Sequence, residues 1–546
     1  MSVIETPSDA PLRVAVDPIT IEVIGSAMMS IVEEMGEALV KASHSTNIKE
    51  RRDCSTALFD RQGRALCQAD HIPMHLGSFL GIIPHILKNH PASDIRPGDV
   101  FIANDAYEGG ATHLPDIVLA EPIFDSDMLI AWATNTAHHA DFEDRGHAHI
   151  YQEGIRIPPL KLYREGVLQE DLQKLFLLNC QVPKERVSDL RAQMAANRLA
   201  IERMTALCAR YGRDVLMSAG DELMDYAERK MRAGIAAIPD GTYDFSDRFD
   251  NPAIDDEMTF HCTIKVAGDE MYLDFDGPDQ VRAGLNMVFT ALLSTVYYAV
   301  KTVVDPTILP NAGLARPLHV TAREGSILNC VHPAAVNGRI APCQRVADIV
   351  HGALARAVPH QVTAAGNGAC ASATFVGEKP DGELWIYLET IGGGSGARYN
   401  KDGLSGVHVH MTNTSNLPAE ALEIEYPLTL LRYELVDGSG GDGEYRGGMG
   451  LRRVYRAERE CLVKLDGSRL RNQPWGLEGG QPGASGRYEF SGDAAAFDHG
   501  SGRLKVGDIV TVITPGAGGY GDASQRPGAL LARDRAEHRI LIPPRA

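Results

Sequence analysis

The hydrophobic period of this chain changes along its length, and that change limits the fold more than any single motif does. In "DPITIEVIGSAMMSIVEEMGEALVKAS" apolar side chains fall at 21, 24, 28, 31, 35 and 39, the spacing of one helical face. Asp17 stands where a cap belongs and Pro18 at the first helical position. "PKERVSDLRAQMAANRLAIERMTALCARYG" (183–212) keeps the same period and stops at a glycine, and "LMDYAERKMRAGIAAI" is a third helical stretch ending near Pro239. Beyond about residue 240 the pattern turns to strands: "TYDFSDRFD", "MTFHCTIKV" and "EMYLDFDG" follow one another with breaks at Gly, Asp and Pro. "ALLSTVYYAVKTVV" and "QRVADIVHGALARAV" read as buried helices, and from about 420 short strands are punctuated by glycine, densest at 438–450 and 516–521. The expected fold is a mixed α+β, multi-domain one. An N-terminal α/β domain spans 15–235, a central α+β domain 236–420 and a glycine-rich β domain 421–546.

Composition excludes several function classes. The 53 basic and 72 acidic side chains leave a net charge of −19, and no Lys/Arg cluster offers the counterion release on which nucleic-acid binding depends. "GLRRVYR" at 450–456 alternates like a strand and reads as a solvated face. The nine cysteines contain no CxxC pair, so neither a zinc ribbon nor a thioredoxin-type couple is available, and they read as reduced thiols of a cytoplasmic protein. "MSVIETPSDAPLR" is no signal peptide, and the apolar run around "ALLSTVYYAV" is too short to span a bilayer. GxxxxGK[ST] is absent. "GSGGDG" (438–443) matches GxGxxG but leads into a strand-like segment, whereas a dinucleotide pyrophosphate needs a helix N-terminus. "GGSGA" (393–397) lacks the last glycine of a nucleophile elbow.

The polar residues with most chemistry lie in "GGATHLPDIV" (109–118) and "TAHHAD" (136–141). Between them, "PDIVLAEPIF" and "MLIAWATNTA" flank "DSD" as a β-hairpin. A turn at Asp125-Ser126 sets His113 opposite His138; a three-residue turn sets it opposite His139. One residue of slip exchanges the two faces, so both registers stand. In either, His113 and Asp116 meet the second cluster at one end of the hairpin, with Pro115 keeping 113–116 out of the ladder. Two imidazoles and a carboxylate with open positions suit a catalytic divalent ion such as zinc, manganese or iron. The alternative is a hydrogen-bonded hairpin end. Elsewhere, Asp53 in "ERRDCS" sits beside two arginines like a structural ion pair, His71 and His75 in "ADHIPMHLGS" read as loop histidines, and "HAH" (147–149) and "HVH" (408–410) stand without a nearby carboxylate pattern.

Taken in order, "NIKERRDCSTALFD", "HIPMHLGS", "NDAYEGGATHLPDIV", "AHHADF", "QEGIRIPP", "DLRAQMAAN", "IGGGSGA", "SGGDGEYRGGMGL" and "TPGAGGYGD" resemble the hydantoinase B family over about 15–525. That family includes B subunits of ATP-dependent N-methylhydantoin and lactam hydrolases, the C-terminal half of 5-oxoprolinases, and subunits of acetone and acetophenone carboxylases. The resemblance implies a hetero-oligomer with a hydantoinase A-type ATPase subunit that binds ATP and Mg and phosphorylates the oxygen of a small cyclic amide. It implies one divalent ion held by His113, Asp116 and His138, with Asp53 as a further ligand, so that the N-terminal domain is the metal-bearing one. Phosphorylation turns a poor electrophile into an imidate-like carbon with a good leaving group, and water activated by the ion attacks it. Asp141, His139 and Asp105 are the candidate bases. A ketone carboxylase subunit and a scaffold with a structural metal are the alternatives. Where 5-oxoprolinases carry a "GGN-x-E-T-S-Q-R"-like segment this chain has "VNGRIAPCQRV" (336–346), which points away from 5-oxoproline. Arg339 and Arg345 there are candidates for substrate discrimination or for helix capping.

Overall fold

The structure is a computed structural model that describes residues 13–139, 147–491 and 500–540. The first helix forms as its signals direct: Pro18–Ala42 is capped by the Asp17 side chain, which accepts from the backbone N–H groups of Ile19 and Thr20. Helices Pro183–Tyr211 and Arg213–Ala236 follow, parted by Gly212 at φ 83°.

Seven strands build the first sheet: β1 (Cys54–Asp60), β2 (Ala65–Gln68), β3 (Val100–Ala103), β4 (Asp116–Asp125), β5 (Met128–His138), β6 (Leu160–Arg164) and β7 (Val167–Leu168), in the order β2-β1-β5-β4-β3-β6-β7. Helices cover both faces. Pro18–Ala42, Pro183–Tyr211 and Arg213–Ala236 pack Val32, Met35, Leu39, Met204 and Leu216 in one core with Leu58 and Ala133. On the other face the helix His75–Asn89 packs Phe79, Ile82 and Ile83 against Phe59, Phe101 and Trp132. β1, β4 and β5 are therefore buried almost continuously instead of alternating.

The second sheet, β8 (Gly241–Phe249), β9 (Met258–Ala267), β10 (Glu270–Asp276) and β11 (Leu318–Ala322), packs one face on helices Phe289–Val304 and Ile340–Leu354. Its burial alternates residue by residue, as a half-covered sheet requires.

Eight strands make the last two sheets: β12 (Ala371–Glu378), β13 (Leu384–Ile391), β14 (Leu428–Leu435), β15 (Leu451–Ala457), β16 (Cys461–Asp466), β17 (Arg487–Phe490), β18 (Ser501–Leu504) and β19 (Ile509–Ile513). They assemble as β13-β12-β16-β18 and β14-β15-β19-β17, sharing one core of Phe375, Tyr387, Tyr455, Val463 and Val510. The division expected near 420 falls inside the stretch that builds the former sheet, because β12 and β13 precede it. After "GSGGDG" comes β15, a strand. Among the described residues no helix is long and apolar enough to cross a membrane.

Candidate metal centre

β4 begins at Asp116 and β5 ends at His138, and the two residues are paired across the ladder. Directly opposed residues point to the same face, so carboxylate and imidazole project together. Neither expected register is the one formed. The turn is Ser126-Asp127, with Ser126 at φ 54°, and a bulge inserts Ile130 between the pairs Phe124–Leu129 and Ile123–Ala131. His113 lies outside the ladder, whereas Asp116 is its first rung. The hairpin end nonetheless gathers all three side chains: His113 Nε2 is 3.0 Å from Asp116 Oδ1, the two imidazole centroids are 5.0 Å apart, and one ligand atom from each of His113, Asp116 and His138 lies within 4.8 Å of the others.

β1 adds Asp53. Its carbonyl accepts from the His138 backbone N–H at 3.0 Å, and its carboxylate is 3.7 Å from Arg51 Nη2 and 3.6 Å from His75 Nε2. His75 in turn is 3.7 Å from Asp116 Oδ1. This histidine corrects the reading of "ADHIPMHLGS" as a loop. It opens the helix His75–Asn89, which Met74 precedes without a side-chain cap, so no start signal marks it. The available signal was periodicity, since His75 shares the buried stripe of Phe79, Ile82, Ile83 and Ile86. Ser55 Oγ, 2.9 Å from His75 Nδ1, turns Nε2 toward the two carboxylates.

The donor set fits a cation. His113 Nδ1 lies 3.0 Å from the Asn337 carbonyl oxygen, which can only accept; Nδ1 therefore carries the proton and Nε2 presents a lone pair to Asp116. His113 Nε2 and Asp116 Oδ1 are buried and make no hydrogen bond among the described residues, a pair of facing acceptors that a divalent ion relieves. Burial and the Arg339 guanidinium push His113 below the ordinary histidine range, and burial beside His113 takes His138 further down. Burial alone would raise the Asp116 carboxyl, but His113 and His75 hold it well below the usual carboxylate range. Asp53 goes up, because burial outweighs Arg51 and His75.

Arg339, immediately before the helix Ile340–Leu354, donates from Nη2 to Asp116 Oδ2 at 2.9 Å and from Nε to Thr112 at 2.9 Å. It holds the carboxylate in place. Arg345 is elsewhere, paired with Asp247 at 3.0 Å. Neither His139 nor Asp105 joins the centre. His139 points to the opposite face of β5, 3.1 Å from Gln193 Oε1, and burial lowers it to about 4. Asp105 accepts from the backbone of Tyr107 and Glu108 and pairs with Arg156. Asp141 lies outside the described residues. His410 of "HVH" does have a carboxylate, Asp348 at 2.8 Å, supplied from a distant helix. A cavity of about 110 Å³ opens over the centre, and one of its walls is a face of β12, β13 and β16.

A family model described as hydantoinase B/oxoprolinase matches residues 17–523. A curated relative from Pseudomonas sp. (strain NS671), named as the putative B subunit of a D-/L-hydantoinase, is 32% identical over 558 residues, covering 95% of this chain and 92% of its own. The crystal structure of an ATP-dependent caprolactamase from Pseudomonas jessenii superposes with a TM-score of 0.88 at 29% identity, covering 97% of this chain and 95% of that one. A nucleotide-free acetone carboxylase superposes with a TM-score of 0.88 over 96% of this chain and 78% of its own; at 19% identity this shows the fold alone.

Proposed function

The chain belongs to the hydantoinase B/oxoprolinase family, and on that premise we propose that it is the B subunit of an ATP-dependent cyclic-amide hydrolase. Its substrate is a hydantoin or lactam phosphorylated on the amide oxygen by a hydantoinase A-type partner. The observation that supports this most is the buried meeting of His113, Asp116 and His138 beneath a cavity, with two facing acceptor atoms that make no hydrogen bond among the described residues. In this reading those three residues hold one zinc, manganese or iron ion, with Asp53, whose carboxylate is 3.6 Å from His75 Nε2, as a further ligand. The ion, when bound, supplies a Lewis acid and a hydrolytic nucleophile at neutral pH.

The chain's own groups have separate tasks. Asn337 holds the Nδ1 proton of His113, Arg339 orients Asp116, and Ser55 orients His75. The apolar side chains of Ile72, Met74 and Leu388 restrict water at the cavity. Of the bases expected from sequence, Asp141 is the one carried forward, since His139 and Asp105 are engaged elsewhere. The "VNGRIAPCQRV" segment supports a ring other than 5-oxoproline.

Reconstitution with the A-type partner tests the reading. ATP-dependent ring opening of hydantoin or a lactam is the expected result. Bicarbonate-dependent carbon fixation on acetone would replace it with a carboxylase. Turnover indifferent to substitution of His113, Asp116 and His138 would leave only a scaffold.

A further inference from the structure

Three cationic side chains line the cavity over the candidate metal centre. Arg51 has Asp53 at 3.7 Å and Arg339 has Asp116 at 2.9 Å. Lys464 on β16 is in no ion pair and no hydrogen bond among the described residues. The third carboxylate of the cavity, Asp466, accepts on Oδ1 from Asn251 Nδ2 at 2.6 Å and from the Gly467 backbone at 2.7 Å.

Across the ladder Lys464 pairs with Thr374 of β12, and Asp466 pairs with Ser372. Alternate strand residues share a face, so these side chains form one wall. The hydroxyls of Ser372 and Thr374 also make no hydrogen bond among the described residues. Beside the Asp466 carboxylate the wall thus carries an ammonium and two hydroxyl groups with no hydrogen-bond partner among the described residues, in the cavity that the His113–Asp116–His138 corner also lines. Lys464 is half-buried and Thr374 buried, and a tetrahedral oxyanion offers acceptors to the ammonium and to both hydroxyls at once.

We propose that Lys464, with Ser372 and Thr374, is an oxyanion-binding wall that receives the phosphoryl group of the activated substrate and turns its carbon toward the His113–Asp116–His138 corner. This rests on the reading that the substrate arrives phosphorylated. Lys464 here recognises charge and is not one of the ligating residues.

Calorimetric titration of inorganic phosphate into the full chain tests it, with the divalent ion content of every preparation measured by elemental analysis. Lys464→Met should weaken phosphate binding about tenfold to a hundredfold, the effect of losing one charge-assisted hydrogen bond, with ion content unchanged. Lys464→Arg should stay within about threefold of wild type because it keeps the charge, and Ser372→Ala with Thr374→Val should weaken binding by about threefold to tenfold. Phosphate affinity untouched by Lys464→Met, absence of phosphate binding in the wild type, or loss of the divalent ion from Lys464→Met would each overturn the proposal. Phosphate binding that weakens in Lys464→Met, in a complex that opens no ring under any condition, would remove the hydrolase reading and keep the wall. Ring opening with phosphate affinity indifferent to Lys464 would do the reverse.

Discussion

At the scale of the residue, neighbours one apart have opposite tasks. His138 shares the face of Asp116, while His139 turns to Gln193. We therefore expect His113→Ala to lose most of the divalent ion and the activity, because two remaining ligands rarely hold a catalytic ion. His139→Ala should keep the ion. Elemental analysis of both variants after dialysis against a mild chelator checks this, and equal ion content in wild type and His113→Ala would reduce the cluster to a polar hairpin end. Glu121, buried on β4, tests burial without a function attached. Burial pushes its carboxyl up to about 7, with one oxygen lacking a hydrogen-bond partner among the described residues. The unfolded chain ionises it near the ordinary glutamate value, so the native state binds the extra proton and stability falls as pH rises from about 4.5 to 7. Glu121→Gln should be more stable than wild type by on the order of 3 kcal/mol at pH 8 and nearly equal below pH 4.5. Urea midpoints at the two pH values measure it.

At the scale of the element, the glycine-dense segments explain themselves only once they are paired in space. A Cβ on Gly448 would stand 1.8 Å from the Leu404 carbonyl oxygen, and one on Gly394 2.0 Å from the Gly448 carbonyl oxygen. Backbone packs on backbone there, and no side chain fits. Gly448→Ala should cost at least about 1–3 kcal/mol, read as a lowered thermal midpoint. Gly528→Ala, at an open position starting the helix Gly528–Ala536, should leave the midpoint unchanged or raise it slightly. The sequence shows where glycine is dense, but the physical need is a contact between residues dozens apart. Helix Pro18–Ala42 is the opposite case: its cap, its proline and its period are all local, so its start is legible in the letters. The helix His75–Asn89 has no such cap and reads as a loop until its buried face is seen.

At the scale of the molecule, the candidate centre joins parts of the chain that no local pattern links. Its floor comes from 53–138, one side from 337–341, and another wall from 372–466. In the proposed scheme the A-type partner uses the ATP, so the isolated chain should neither hydrolyse ATP nor open a ring. Both should require the A-type partner. An isolated preparation that turns over an unactivated cyclic amide without ATP would remove the activation scheme.

The sequence by itself determined the alternation of helical and strand periods, the mixed architecture and the hairpin that carries His113, Asp116 and His138, because each depends on residues within a few positions of one another. The tertiary structure alone decided the rest. A turn at Ser126-Asp127 with a bulge at Ile130 chose the register, a helix without a start signal brought in His75, and Arg339 reached Asp116 from more than 200 positions away. It also set Lys464 in the cavity wall without a partner among the described residues. Strand slip and long-range packing are chosen by which faces bury together, a condition on the whole molecule that short spacing does not record.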